Sequence, residues 1–233
     1  MPRSQALNET TPPAARQRAR AVAVPAAPNP ATKTLRKRLS RLERAPDARN
    51  NIFAATARVV GRVGYADATI ASITAEAKIA QGTFYLYFGS RQELFDELLP
   101  HVGVDMLHFI RDRVHGSASV YEMEERGFRA FFEYLKGKPG FFRILNEAEV
   151  AAPMAFKRHF NLLTRHYVRA LGRAIERGEL RHFERDELEA VAYMLMAARS
   201  YLYLRFVKNK TGVRALPEKV VQTYMRLVRR GLN

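Results

Sequence analysis

Apolar residues recur every three or four positions from residue 52 to residue 63, which is the spacing of an amphipathic helix. The apolar face of this first predicted helix consists of Ile52, Ala55, Val59 and Val63. Gly64 is expected to end the helix and Thr69 to cap a second one, because glycine follows many helices and threonine oxygens accept hydrogen bonds at helix starts. The inward side of the second helix consists of Ile70, Ile73 and Ala77.

A third predicted helix covers residues 81–88, after a tight turn at residues 78–80. At about 100° per residue, Phe84 and Phe88 lie on one side, which we expect to face the core. The opposite side and its flanks consist of Gly82, Thr83, Tyr85, Leu86 and Tyr87. A short helix that exposes polar and aromatic groups, and is anchored by two phenylalanines, fits the major groove of DNA.

Residues 52–98 resemble the DNA-binding head of TetR-type regulators throughout their length. The motifs that carry the resemblance are Gly64-Tyr65, Thr69 with Ile73, the run Gly82-Thr83-Phe84-Tyr85-Leu86-Tyr87-Phe88, and Ser90-Arg91-Gln92-Glu93-Leu94. The resemblance implies an all-α fold, in which an N-terminal three-helix helix-turn-helix domain precedes a larger helical ligand-binding and dimerisation domain. We place the first domain, the head, at residues 47–98, with its fourth helix beginning near residue 90, and the second, the body, at residues 99–233.

Two positions depart from the family pattern. Lys78 stands where the family usually has glycine, at a point in the turn that tends to need positive φ, so we expect mild strain there. Arg91 replaces a more common lysine, which keeps the positive charge and changes its shape.

The predicted DNA contacts are of two kinds. Hydroxyl, phenol and guanidinium groups near helix starts suit phosphate oxygens, and this role is assigned to Thr69, Ser72, Tyr85, Tyr87 and Arg91. For the bases, the Gln81 amide suits an adenine edge and Thr83 a thymine methyl group, and Gly82 lets the backbone approach closely. An alternative role for Tyr85 and Tyr87 is to cover the small apolar core of the head.

Beyond Leu98 the chain continues as long amphipathic segments with breaks near Gly116, residues 137–140, Ala152-Pro153, Gly178 and residues 212–217. Residues 190–206 leave little polar surface around the helix, so they need cover on both sides. With the final helix, roughly residues 217–230, they are expected to form half of a four-helix homodimer interface. The predicted interface residues are Tyr193, Leu195, Met196, Tyr201, Leu204, Tyr224 and Val228.

The body also contains many large apolar residues that suit the wall of a ligand cavity. The predicted lining consists of Phe128, Phe131, Phe132, Phe141, Phe142, Leu145, Phe160 and Tyr167. An ordinary hydrophobic core is the alternative role of these side chains. The expected effector is an unidentified hydrophobic or amphipathic small molecule, such as a fatty acyl compound. The arginines at 158, 165, 169, 173 and 177 lie mostly on the opposite, solvated face of their helix.

The formal net charge of +16 favours a polyanionic partner, but its distribution is uneven. Residues 1–46 contain ten Lys or Arg and two Glu, a net charge of +8, whereas the head has five basic and six acidic residues, a net charge of −1. Residues 1–46 have the composition of a disordered basic extension, within which the leucine spacing at residues 35–44 permits a short helix. Its expected role is nonspecific attraction to DNA, and a solubilising tail is the alternative.

Several other functions have little support in the sequence. The chain has no cysteine, its longest apolar run (residues 190–198) is shorter than a membrane span, and no glycine-rich phosphate loop or HExxH motif is present. His101, His108 and His115 recur every seven residues, which is too far apart to bind one metal ion. We therefore predict no enzymatic activity, cofactor, metal or membrane partner, and a cytoplasmic location.

The predicted function is a sequence-specific regulator, a repressor that a small-molecule effector releases from a palindromic operator in double-stranded DNA. The alternative is a basic helical protein that binds lipid or another ligand without operator recognition. That alternative leaves the outer side of the predicted third helix without a role.

Overall fold

The computed structural model describes the backbone of residues 30–209 and 212–232, and the side chains of residues 47–209 and 214–232. The described chain divides between residues 43 and 44 into two units. Of the extension predicted to be disordered, residues 1–46, the first 29 residues lie outside the described residues. The backbone of residues 30–46 is helical, so the first helix begins well before the apolar spacing starts at residue 52. That spacing marks only the part of the helix that packs on the core.

The all-α fold class is confirmed. The helices of the described residues are, in chain order, α1 (Pro30–Val63), α2 (Ile70–Ala77), α3 (Gln81–Phe84), α4 (Arg91–Val114), α5 (Val120–Gly137), α6 (Phe141–Ala151), α7 (Pro153–Glu176), α8 (Leu188–Leu202) and α9 (Glu218–Gly231). A turn of 3-10 helix (Arg185–Glu187) precedes α8, and a π-helical turn (Tyr203–Val207) follows it. A minimal antiparallel ribbon, β1 (Lys208–Asn209) with β2 (Gly212–Val213), leads towards α9.

The head packs around aromatic rings supplied by α1, α3 and α4. Phe53 of α1 stacks on His101 of α4 at 4.1 Å between ring centroids, and its ring meets the Phe88 ring edge-on at 5.4 Å. Ile73 of α2 and Phe84 of α3 are fully buried in the same core. Thr69 and Ser90 cap α2 and α4 with their side chains, as helix starts require.

The third helix is shorter than predicted. It ends at Phe84, and residues 85–87 form a tight turn, in which the Leu86 and Tyr87 N–H groups donate to carbonyls three residues back. Such bonds tighten the end of a short helix. The Phe88 N–H still donates to the Phe84 carbonyl at 3.1 Å, so both rings face inward as predicted.

The body is a bundle built mainly from α4, α5, α7 and α8. Helix α4 packs against α5 and α7, α6 lies against α4 and α7, and α9 packs on α5. The predicted breaks at Gly116 and Gly178 coincide with glycines at positive φ, which end the preceding helical segments. Among the described helices, none combines the length and apolar character of a membrane span.

Lys78 ends α2 in the left-handed conformation, with φ 56° and ψ 44°. It is the only non-glycine residue at positive φ in the part of the chain that the structure describes. The Ile79 N–H donates to the Thr74 carbonyl at 3.0 Å, which completes the hydrogen bonding expected of a helix that ends this way. The expected strain at this turn is therefore present.

The first prediction follows from this conformation. Lys78→Gly removes the Cβ that makes left-handed backbone costly, so we expect the free energy of unfolding to rise by about 0.5–1 kcal/mol in urea titrations. Lys78→Ala is the matched control, since it removes the same charge but keeps the Cβ. An equal gain in both variants would contradict the assignment of strain to the backbone.

Candidate DNA-binding face and ligand cavity

The outer side of α3 and the turn after it forms an exposed surface, which we call the α3 face (Gln81, Gly82, Thr83, Tyr85 and Leu86). Tyr85 and Leu86 are 55% and 64% exposed, and Gln81 and Gly82 are also exposed. Apart from its chain neighbours and the backbone of its own helix, no described atom lies within 4 Å of a Cβ built on Gly82. Thr83 and Tyr87 are half-buried, and Tyr87 packs partly against the core. The surface therefore has room for close backbone approach at its centre.

The flanking residues predicted to contact phosphate already have partners within the head. Thr69 and Ser72 form a reciprocal capping box, in which the Ser72 N–H donates to Thr69 Oγ1 and the Thr69 N–H donates to Ser72 Oγ, both at 3.1 Å; the Ser72 hydroxyl also donates to the Thr69 carbonyl at 2.8 Å. Arg91 donates to the carbonyls of Ala66 and Ala68, at 3.4 and 3.3 Å. An arginine has five N–H donors, so these bonds leave others for a phosphate.

Three of the five cations of the head are paired with carboxylates. Arg49 pairs with Glu97, and both Arg58 and Arg62 pair with Glu76, at 2.7 and 3.4 Å. The hydrogen bond from Arg58 lowers the pKa of the Glu76 carboxyl, and Arg62 adds to this. Lys78, in the turn before α3, and Arg91, at the start of α4, form no ion pair with any described carboxylate, so two cations flank α3 in sequence. Because the net charge of the head is −1, DNA contacts there would depend on positioned hydrogen bonds and on these two cations rather than on bulk charge.

A cavity of about 490 Å³ lies in the body, among α4, α5, α6, α7 and α8. Four residues of the predicted lining belong to its wall, namely Phe131, Leu145, Phe160 and Tyr167. The other four do not. Their rings pack in the core instead: Phe128 on Tyr224, Phe132 on Phe128, Phe141 on Tyr134 and Phe142 on Tyr203. Helical spacing identifies inward-facing rings, but it does not distinguish a cavity wall from a filled core.

A buried polar cluster forms the inner wall of the cavity. Arg199 donates to Glu124 Oε1 at 2.7 Å, and the hydroxyls of Tyr224 and Tyr167 donate to the same carboxylate at 2.5 and 3.1 Å. Burial alone would lower the pKa of Arg199, but the Glu124 carboxylate outweighs it and the pKa is raised. Arg199 and Glu124 therefore form a buried ion pair. It joins α5, α7, α8 and α9.

His159 of α7 also belongs to the wall of the cavity. It is 1% exposed, and neither ring nitrogen hydrogen-bonds to any described residue. Its ring lies against the α4 backbone, where a Cβ built on Gly103 would come within 2.3 Å of Nδ1. Phe141 and Phe160 surround it edge-on. Burial lowers the pKa of His159 to about 4, so the imidazole is neutral at physiological pH.

The sequence analysis missed Glu124, His159 and Arg199 as parts of the cavity. A signal for two of them was present: Glu124 lies four residues from both Val120 and Phe128 on an apolar stripe, and Arg199 ends the apolar run 190–198. Lone charged residues on such faces are rarely buried unless they are paired. Nothing in the sequence indicated that these two pair with each other.

The cavity opens between α4 and α7. The exposed residues of its lining come from these two helices and are Val104, His108, Arg111, His166 and Arg173. Burial lowers the pKa of His166, and the nearby Arg169 and Arg165 lower it further. No group of three or more His, Asp or Glu side chains among the described residues is arranged to hold a metal ion.

The predicted dimer residues fall into two groups. The first group is exposed and consists of Tyr193, Tyr201 and Leu204. Two residues that were not predicted are exposed as well, namely Met194, next to Tyr193, and Leu227 of α9. For the other four residues the prediction of a dimer contact was wrong, because they are buried within the chain: Leu195, Met196, Tyr224 and Val228. Their side of α8 and α9 packs on the body, and Tyr224 reaches Glu124 there.

Helix α6 connects the head to the cavity. The Arg143 guanidinium donates to the carbonyls of Arg62 and Val63 at the end of α1, at 2.7 and 2.9 Å. Glu147 accepts from the Tyr65 N–H at 2.9 Å and pairs with Arg143 at 2.6 Å. Leu145, between these two residues, lines the cavity. One helix therefore contacts both the loop before α2 and the ligand space.

Comparisons with known proteins find regulators of transcription. Residues 52–98 match the family model described as "Bacterial regulatory proteins, tetR family". The HTH-type transcriptional repressor NicS of Pseudomonas putida is 27% identical over 172 residues, which cover 72% of this chain and 81% of NicS. These proteins are regulators of transcription and not enzymes.

Solved structures share the fold over most of the chain. The fatty acid degradation regulator FadR from Bacillus halodurans has a TM-score of 0.65 at 17% identity, and covers 80% of this chain and 96% of its own. The transcriptional regulator FadR from Bacillus subtilis, in complex with stearoyl-CoA, has a TM-score of 0.66 at 16% identity, and covers 78% and 98%. Both likenesses concern the fold.

The second prediction tests the buried ion pair. Glu124→Leu leaves the Arg199 guanidinium buried without its counterion, so we expect the free energy of unfolding to fall by about 3–5 kcal/mol in urea titrations. Glu124→Leu with Arg199→Met removes both charges and is expected to lose less than the single variant. Equal or greater loss in the double variant would contradict the pairing.

The third prediction concerns His159. Its folded pKa of about 4 lies below the unfolded value of 6.5, so the unfolded chain binds the proton first and stability falls as pH drops from 6.5 towards 4. We expect His159→Leu to lose roughly 3 kcal/mol of this pH dependence, measured by urea unfolding at several pH values. His101 and His166 remain in both proteins, so their contributions cancel. Parallel pH profiles would show that His159 is not buried as described.

Proposed function

We propose that this chain, which belongs to the TetR family of bacterial regulatory proteins, is a ligand-responsive repressor that binds a palindromic operator as a homodimer. The observation that carries the proposal is the α3 face, which is open to solvent while Phe84 and Phe88 fix it from beneath. The repressor activity stated for NicS supports the direction of regulation. The proposed function places the protein in the cytoplasm, with the DNA.

The α3 face has the chemistry of a base-reading surface. Gln81 presents an amide suited to adenine, Thr83 presents a methyl and a hydroxyl group, and the open space over Gly82 admits a base edge. The exposed Tyr85 phenol and the remaining donors of Arg91 suit phosphates on either side. For Ser72 we propose a supporting role, since its hydroxyl already holds the Thr69 cap.

Dimerisation is supported by exposed apolar side chains on the last two long helices. Tyr193 and Tyr201 lie on α8, and Leu204 lies in the π-helical turn after it. Leu227 is 71% exposed on α9. Side chains of this kind on adjacent helices suit a twofold interface, in which the same surface pairs with itself. Such a dimer presents two α3 faces to half-sites roughly 34 Å apart.

The effector is proposed to occupy the cavity of the body. Its wall is mostly apolar, and its volume of about 490 Å³ lies within the range of small-molecule sites. The stearoyl-CoA in the FadR neighbour makes a fatty acyl compound a reasonable first effector to test. The effector would release the operator by acting on α6. This helix supplies Leu145 to the cavity wall, and its Arg143 contacts the end of α1.

A ligand-binding protein without operator recognition is the second candidate, because the cavity alone favours it. It leaves the α3 face without a function. Binding of the full chain to selected DNA duplexes and to vesicles of anionic lipid distinguishes the two. We expect DNA to be preferred, and a preference for vesicles would support the second candidate.

The fourth prediction tests the α3 face. Binding sites are first selected from random duplex DNA, and affinities of variants are then measured at fixed salt. We expect Gln81→Ala to relax discrimination at one base position by about 1–3 kcal/mol, and Tyr85→Phe to weaken binding evenly across sequences, because it removes only a phosphate contact.

Tyr121→Phe is the matched control, since it removes a phenol from α5 that belongs to neither the α3 face, the cavity lining nor the exposed apolar residues of α8 and α9, and that donates to the Glu179 carbonyl in the body. It should bind as the parent chain does. If Gln81→Ala and Tyr85→Phe also bound with unchanged affinity and discrimination, the α3 face would not be the DNA-binding surface.

A further inference from the structure

The interior of the cavity offers no unpaired charge to a ligand. The charged residues of its buried wall are Glu124 and Arg199, and these neutralise each other at 2.7 Å. His159, also in the wall, is neutral. An ionised ligand group placed among these residues would lose its hydration without gaining a counterion. The part of an effector that lies inside is therefore uncharged.

The mouth of the cavity has the opposite character. Its exposed lining includes Arg111 and Arg173, with His108 and His166 beside them, and it includes no carboxylate. Arg173 forms no ion pair with any described carboxylate, and the same holds for Arg165 and Arg169 on the outer side of α7. Arg111 pairs with its sequence neighbour Asp112 at 3.2 Å, but both side chains are about two-thirds exposed, so solvent screens the pair.

The arginines on the outer side of α7 act on a histidine of the mouth. The pKa of His166 is lowered first by burial and then by Arg169 and Arg165, which disfavour a further positive charge. Uncompensated cations around a concave opening concentrate anions there. The α7 arginines are thus more than a solvated face, because one end of their row borders the entrance to the ligand space.

We infer that the mouth of this cavity is an anion-binding site, and that the effector is an amphipathic anion whose uncharged chain fills the cavity while its carboxylate or phosphate lies against Arg111 and Arg173. The inference rests on the proposed ligand response and specifies its ligand class. It also assigns an orientation to the effector, with the acidic group outward between α4 and α7. Specificity for charge is then set at the entrance, and specificity for shape in the interior.

Three ligands of equal chain length separate the contributions: myristate, myristyl alcohol and myristoyl-CoA. Their binding to the full chain is measured by calorimetry without DNA, at low and moderate salt. We expect both anions to bind more tightly than the alcohol, with an advantage that shrinks as salt rises. If myristate binds more tightly than myristoyl-CoA, a carboxylate is the preferred group. If myristoyl-CoA binds more tightly than myristate, the phosphate-bearing headgroup is preferred.

The decisive variant is Arg111→Gln with Arg173→Gln. Both side chains are exposed, so the fold should be retained, and we expect the anions to lose roughly tenfold in affinity while the alcohol is unaffected. The matched control is Arg226→Gln with Arg230→Gln, which removes the same charge from exposed positions on α9 outside the cavity lining. It should keep the anion preference.

An unchanged ratio of anion to alcohol affinity in the Arg111 and Arg173 variant would overturn the inference, as would failure of all three ligands to bind the parent chain. Operator binding is measured on the same proteins without ligand. A parent chain that binds the operator but shows no preference for the anions over the alcohol counts against the anion site, whereas absence of operator binding by the parent chain counts against the proposed function.

Discussion

The burial of two phenylalanine rings determines which side of α3 faces solvent. A helix of four residues has no stability of its own, so its rotation depends on the groups that anchor it. Phe84 and Phe88 are 0% and 1% exposed, and Phe53 packs edge-on against the second ring. With the rings held, the Gln81 to Thr83 segment is turned outward. The precision of any base contact therefore derives from the head core rather than from α3 itself.

Helix α6 gives the proposed regulation a physical route. Arg143 and Glu147 bond to backbone groups at the end of α1 and at Tyr65, while Leu145 lines the cavity. Backbone groups there have fixed positions, so a shift of α6 on ligand entry would require these bonds to break or the head to follow. Coupling of this kind demands that the ligand stabilise one arrangement over the other. The buried pair of Glu124 and Arg199 joins α5 to α8 in the wall of the same cavity.

Local rules predicted the head better than the body. Apolar spacing, the capping threonine and the unusual Lys78 gave the buried faces, the start of α2 and the strained turn, because each depends on neighbours in sequence. The ring positions of the body depend on which helices meet. Phe131 lines the cavity while Phe128 stacks on Tyr224, although both lie on the inward side of α5. The inward and outward sides of α8 were likewise indistinguishable, since both are apolar.

The structure of the full chain bound to a selected operator duplex tests base recognition by α3 most directly. We expect two copies of the chain, with the α3 faces in successive major grooves roughly 34 Å apart, and with Gln81 and Thr83 against base edges. Tyr85 and Arg91 should then lie at the phosphates. A complex in which the duplex contacts other surfaces, and Gln81 and Thr83 remain in solvent, would contradict the assignment of α3 as the recognition element.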